Sequence, residues 1–234
     1  MGKQKKNSNY LTKWAEEHKR RKEEDEIKKK RKNTTIAVSA ISAVLVIGIV
    51  LGLGFGVFGW GKPHFKVTHY ATIEIENYGT VELELYGKEA PITVESFVKL
   101  ANSGYFNGLS FYGIQSSENG VEYLKGGKEE NDVEAIYGEY EYNDFNNAIL
   151  HKKGVISMAN AGHDKSAPNN FFIIVSDSEQ NSYIDGEFAA FGKVVKGMSI
   201  IEHIHKNAKP YDSNGGILPA SQPIITKLTV KAAD

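Results

Sequence analysis

Two patterns of apolar residues divide the chain. Residues 36–60 read IAVSAISAVLVIGIVLGLGFGVFGW, 25 residues without a charge. Beyond residue 70 the apolar positions come in short periodic runs instead. Thr72-Ile73-Glu74-Ile75-Glu76 and Val81-Glu82-Leu83-Glu84-Leu85 alternate with period 2 on either side of Asn77-Tyr78-Gly79-Thr80, which predicts a hairpin with one buried face. Pro91 suits a first helical position. Val94, Phe97, Val98 and Ala101 then recur at i, i+3, i+4 and i+7 before Gly104, so an amphipathic helix is predicted over 91–103 with a glycine at its C-terminal cap. Apolar runs at 155–159, 171–175, 189–195 and 224–230 are bounded by turn residues and predict strands, and 198–205 predicts a second short helix. Many short strands with two helices suggest a mainly β domain, a closed antiparallel barrel with helical covers. Periodicity alone leaves barrel and sandwich undecided.

The long uncharged run has a different use. At about 1.5 Å per residue it is long enough to cross a hydrocarbon core of about 30 Å with some tilt. As a soluble helix it would be weakened by Gly48, Gly52, Gly54, Gly56 and Gly59. As a cleaved signal peptide it is too long, and Phe58-Gly59-Trp60-Gly61-Lys62 offers no small-residue cleavage site. The expectation is an uncleaved, single-pass membrane anchor over 34–60, contacting the lipid bilayer through residues 36–60. A charged arm over 1–33 precedes it, a linker over 61–69 follows, and the folded domain occupies 70–234. The basic cluster at 28–32 places the N-terminus in the cytoplasm and the domain outside the cell membrane, with Trp60 at the outer interface. Gly48, Gly52 and Gly56 repeat a small-xxx-small spacing, the pattern of a weak homodimer through the membrane helix.

Charge supports that division. Residues 1–33 hold 13 Lys/Arg against 6 Asp/Glu, a net of +7, and the remainder carries −8. In the arm, Glu16→Arg20, Glu17→Arg21, Glu24→Lys28, Asp25→Lys29 and Glu26→Lys30 are i,i+4 pairs with the acid first, each worth roughly 0.2–0.5 kcal/mol to a helix. The interspersed acids argue against nucleic acid as a partner. The chain has no cysteine, which excludes disulfides and Cys-based zinc sites and leaves the compartment open. His203 and His205 are two apart on the predicted helix and do not share a face. With His151 and His163 in other segments, no metal site is expected.

Several stretches of the domain follow one another in a recognisable order. They are Ala71-Thr72-Ile73-Glu74-Ile75, Ala90-Pro91-Ile92-Thr93-Val94-Glu95-Ser96-Phe97 and Gly104-Tyr105-Phe106-Asn107-Gly108-Leu109-Ser110-Phe111. Gly126-Gly127, Gly154-Val155-Ile156-Ser157-Met158-Ala159-Asn160-Ala161, Asn170-Phe171-Phe172-Ile173 and Ile184-Asp185-Gly186 come next, ending in Phe191-Gly192-Lys193-Val194. In this order and spacing they resemble the cyclophilin-type peptidyl-prolyl isomerases over residues 70–230. The resemblance implies a closed eight-stranded barrel capped by two helices, with a groove for Pro-containing polypeptides on one face. It also implies an isomerase that assists folding of exported proteins and needs neither cofactor nor metal.

An X–Pro bond resists rotation by about 18–20 kcal/mol because amide resonance must be broken. An apolar pocket can grip the prolyl ring while the preceding carbonyl turns. A hydrogen-bond donor at the prolyl nitrogen favours a pyramidal, single-bonded C–N and so stabilises the twisted transition state. The resembled family places an arginine there, within Phe-His-Arg. Here the stretch is Phe111-Tyr112-Gly113-Ile114, and the only arginines of the chain are Arg20, Arg21 and Arg31. Lys125 stands where the family has a glutamine, as a candidate substitute donor or a solvent-facing cation. For substrate binding the resemblance implies Phe172 and Ile184 as pocket walls and Tyr183 at a position where Trp is frequent. It further implies Phe188 where His is common, Tyr123 among the groove aromatics, Ala159 and Asn160 on the strand edge that pairs with peptide, and Asn170 at a glutamine position. The segment 116–121 is about four residues longer than the family pattern. The loss of arginine leaves a second reading open, a non-catalytic module that binds Pro-containing segments or a membrane partner.

Overall fold

The computed structural model describes residues 64–115, 120–162 and 164–234. The charged arm, the anchor and the start of the linker lie outside the described residues. Among the described residues no helix is long and apolar enough to cross a membrane.

The first two strands, β1 (His69–Ile75) and β2 (Gly79–Leu85), form the expected antiparallel hairpin. Its alternation is real burial: Ala71, Ile73, Ile75, Val81, Leu83 and Leu85 all point into the core. The turn places Asn77 at φ 62° and Gly79 at φ 110°, left-handed values that Asn and Gly reach at least cost. Residues 64–68 are not a free connector. Phe65 and Val67 already pack on the domain, and the Phe65 ring lies 5.4 Å from that of Tyr86.

Helix α1 (Pro91–Asn102) buries Thr93, Val94, Phe97 and Ala101 against the sheet. It opens on Pro91 without a side-chain cap of its own and ends one residue before the predicted boundary. Gly104, at φ 78°, donates its N–H to the Ala101 carbonyl, closing the helix with the left-handed residue that glycine tolerates. Strands β3 (Ser110–Gln115), β4 (Tyr123–Gly127) and the two-residue β5 (Ile136–Tyr137) follow. Then come β6 (Val155–Asn160), β7 (Lys165–Ile174), β8 (Ala189–Lys196), α2 (Met198–Asn207) and β9 (Ile225–Ala232). β7 starts six residues before the apolar run predicted for it, and α2 extends two residues past its predicted end.

The strands form one antiparallel sheet in the order β3-β4-β7-β6-β8-β2-β1-β9, with β5 paired to β7 off that path. The mainly β architecture with two helices is as expected, but closure is not. The end strands β3 and β9 share no ladder, only an isolated bridge at Ser110–Ile224 and hydrogen bonds such as Ile225 N–H to the Leu109 carbonyl at 2.7 Å. The sheet is therefore a curled half-barrel joined at one corner. The remaining edge of β3 is occupied by a turn from residues 210–217. Gly216 bridges Gly113, and the Ile114 N–H donates to the Gly215 carbonyl at 2.8 Å.

Because side chains alternate along a strand, β7 serves two cores. Phe171 and Ile173 enter the main core with Phe97, Phe106, Phe111 and Phe191. Phe172 and Ile174 face the other side and join a second cluster with Tyr86, Val155, Ile149 and Ala190. That second cluster holds the groove candidates.

Candidate active site

One rung of the sheet carries the central residues. Gly113 on β3 pairs with Lys125 on β4, Lys125 with Phe172 on β7, and Phe172 with Ser157 on β6. Residues on one rung of an antiparallel sheet share a face, so Lys125 stands between Gly113 and Phe172. Its side chain leans toward the glycine. The Lys125 Nζ donates to the Asn214 carbonyl at 3.1 Å, and its stem crosses the space a Gly113 side chain would fill. A Cβ on Gly113 would sit 3.2 Å from Lys125 Cδ and 3.3 Å from the Gly215 carbonyl oxygen. Lys125 therefore neither points freely into solvent nor reaches toward Phe172; it is latched across β3 onto the 210–217 turn.

Around Phe172 the fold gathers aromatic walls. Tyr123 lies 4.8 Å from its ring centre, and Phe188 meets it edge-on at 5.3 Å. Ile184 packs on the same cluster. Phe172 is left 4% exposed. Tyr183 does not join this group; it stands 66% exposed at the end of a 3-10 turn. Ala159 and Asn160 lie where β6 outruns β8. The last β6–β8 pair is Met158–Ala189, while pairing with β7 continues to Asn160–Ser166. The Asn160 side-chain amide donates to the Glu187 carbonyl at 3.2 Å.

Asn170 lies two rungs along, paired with Gly127, and accepts a 2.8 Å hydrogen bond from the Tyr112 hydroxyl. Burial pushes the Tyr112 hydroxyl far above its ordinary pKa, the Asn170 bond working against that and the Glu129 charge adding to it. Tyr112 thus remains a proton donor throughout the physiological range. Burial likewise raises Tyr123.

Sequence reasoning missed the polar group behind Phe172. His151 is 1% exposed, and Asp185 Oδ1 accepts hydrogen bonds from both its backbone N–H, at 2.7 Å, and its Nδ1, at 2.9 Å. Its Nε2 lies 3.0 Å from Ser157 Oγ. Asp185 lies 34 residues from His151 and Ser157 six residues from it, a combination that carries no spacing signal. Among the described residues no group of His, Cys, Asp and Glu is arranged to hold a metal ion.

Asp185 feels opposing effects. Burial raises its pKa, but the hydrogen bonds from the His151 ring and backbone outweigh it and hold the carboxyl below its usual range. A depressed folded pKa means that the stability is present above the ordinary carboxylate value of about 4 and is lost as pH falls through the lower folded value. Asp185→Asn should therefore melt below wild type at neutral pH, with the gap in Tm closing in acid. A gap that stays constant across thermal melts from neutral pH into acid would contradict this assignment.

A family model for cyclophilin type peptidyl-prolyl cis-trans isomerases matches residues 70–230. The chain belongs to the cyclophilin-type peptidyl-prolyl cis-trans isomerase family. Among relatives of this cyclophilin, peptidyl-prolyl cis-trans isomerase A of Dickeya dadantii is 33% identical over 135 residues, covering 54% of this chain and 68% of that protein. The Helicobacter pylori isomerase is 36% identical over 142 residues, covering 58% and 80%. The crystal structure of a cyclophilin-type isomerase from Cryptosporidium parvum superposes with a TM-score of 0.56 at 23% identity, covering 71% of this chain and 99% of that one. The chain is thus a cyclophilin-type isomerase by family, and the fold likeness extends to nearly the whole of the Cryptosporidium domain.

Proposed function

We propose that this cyclophilin isomerises X–Pro bonds at a reduced rate, with the niche of Phe172, Ile184, Phe188 and Tyr123 gripping the prolyl ring. The observation that carries the reading is the Gly113–Lys125–Phe172 rung. It keeps the pocket residue of the resembled family at one end and lacks the donor side chain at the other. In this reading the free edge at Ala159–Asn160 pairs with the peptide backbone, Asn170 orients a carbonyl, and Tyr183 lines the outer rim. No covalent step or metal is required, because the reaction only rotates an amide. A missing donor in a preorganised site lowers the rate roughly 100- to 1,000-fold. Lys125 supplies a donor only after leaving Asn214, and as a flexible point charge it replaces a planar guanidinium incompletely.

The setting is part of the proposal. The uncharged run at 36–60 anchors the protein, with weak pairing through its glycines, and the basic cluster at 28–32 keeps the N-terminus in the cytoplasm. The domain then assists folding of exported, Pro-containing polypeptides at the outer face of the cell membrane. A protease-free assay of cis–trans exchange in an Ala-Pro peptide tests the catalysis. A rate above the uncatalysed background, but well below that of an arginine-bearing cyclophilin, is expected. Background rate from folded protein defeats it.

One observation favours a second reading, a non-catalytic module for Pro-containing segments. Lys125, the candidate substitute donor, is engaged with the Asn214 carbonyl at 3.1 Å, so the niche grips a prolyl ring with no donor at the prolyl nitrogen. Peptide-induced amide shifts at Phe172 and Ile184 without turnover would select that reading.

A further inference from the structure

A buried imidazole needs an account that an apolar side chain would not, because buried polar groups survive only when hydrogen-bonded. His151 meets that condition through partners on two walls of the niche. Asp185, which receives its backbone N–H and Nδ1, directly follows Ile184. Ser157, facing Nε2 at 3.0 Å, is the strand partner of Phe172. With Nδ1 donating to the carboxylate, Nε2 is left to accept the Ser157 hydroxyl proton. The imidazole plane lies 13° from that of Phe172, with centroids 6.0 Å apart. Phe188 sets its edge against both rings, at 6.5 Å from His151 and 5.3 Å from Phe172.

We propose that His151 is a positioning residue: clamped by Asp185, it fixes the plane of the Phe172 ring and the separation of Phe172 from Ile184. The inference rests on the reading of that niche as the prolyl site. Without the ring donor, the half-buried Asp185 carboxylate keeps only the His151 backbone N–H, and the turn carrying Ile184 loosens from the wall carrying Phe172. The stack alone does not prevent this, since it holds no contact to Asp185. The clamp acts on how well a prolyl ring is gripped, so its loss falls on binding rather than on the rotation step.

The test compares the full chain with His151→Phe/Ser157→Ala, which keeps a ring against Phe172 and leaves no buried hydroxyl orphaned. KM for an Ala-Pro peptide should rise about tenfold with kcat within about twofold, and the Phe172 ring resonances should shift or broaden. Asp185→Asn keeps an acceptor oxygen for the ring and should hold KM near wild type, whereas Asp185→Leu should reproduce the rise. A purely structural role would lower Tm in all these variants and leave KM unmoved. A folded double variant with wild-type KM and wild-type Phe172 resonances overturns the proposal. Should wild type bind peptide without turning it over, the isomerase reading falls. Peptide Kd and the ring resonances then decide the clamp on the same terms.

Discussion

Restoring a guanidinium to β3 should raise isomerase activity by about 100- to 1,000-fold, the reverse of what losing one preorganised donor costs. The variant expected to do so is not Gly113→Arg alone. A Cβ on Gly113 would lie 3.2 Å from Lys125 Cδ and 3.3 Å from the Gly215 oxygen, both tighter than ordinary contact. The Gly215 carbonyl is held by the Ile114 N–H at 2.8 Å and cannot withdraw cheaply. Lys125 is flexible, but in its present latch to Asn214 its stem lies across the path of the new side chain, and its charge would repel the new one. Gly113→Arg with Lys125→Gln removes both obstacles and restores the glutamine of the family pattern. We expect the double variant to show the full gain in kcat/KM, Gly113→Arg a fraction of it, and Lys125→Gln little change. Gly113→Ala reports the steric cost alone. A folded double variant at the wild-type rate would mean that the groove does not act on prolyl bonds.

That prediction depends on a contact no sequence pattern announces. Lys125 had two readings along the chain, donor or solvated cation, and the fold supplies a third because a turn 89 residues away offers a carbonyl. The hairpin of β1 and β2 was legible because one face meets solvent, so hydrophobic and polar residues alternate cleanly. β3 and β4 were not. Gly113, Gly126 and Gly127 remove the side chains that would show a period, and the glycines are there for close approach: a Cβ on Gly127 would lie 2.2 Å from the Asn169 oxygen. The run Phe171-Phe172-Ile173-Ile174 announced a strand but not its faces, since both sides are buried. Only the register places Phe172 on the side of Tyr123, Ile184 and Phe188. Family resemblance supplied the candidate list, and the fold brings Phe172, Ile184, Phe188 and Tyr123 together while leaving Tyr183 outside. His151 gives no sign of its role along the chain, because Asp185, 34 residues on, becomes its neighbour solely through folding.

The second large effect lies at the start of α1. Glu139 is fully buried; its Oε1 accepts the Ile92 N–H at 2.9 Å and its Oε2 the Thr93 N–H at 2.7 Å. A helix start leaves amide donors without partners, and α1 has no capping side chain of its own. Glu139 supplies the cap from a distant loop, with its charge placed favourably at the positive end of the helix dipole. Glu139→Ala strips one buried donor, at Thr93, and one part-buried donor, at Ile92; at about 1–3 kcal/mol for the first and less for the second, a loss of about 2–4 kcal/mol is expected. At about 2–4 °C per kcal/mol for a chain of this size, Tm should fall by roughly 4–16 °C. Glu139→Gln keeps one acceptor oxygen and should lose about half as much. The damage should travel, because α1 carries Phe97, whose ring stands edge-on to Phe171 at 5.9 Å, and Phe171 is the backbone neighbour of Phe172. Hydrogen exchange at Ile92 and Thr93 should accelerate before exchange in β1 and β2 does. If Glu139→Ala melts within about 2 °C of wild type with those amides still protected, α1 is held by its apolar face alone and the cap is dispensable.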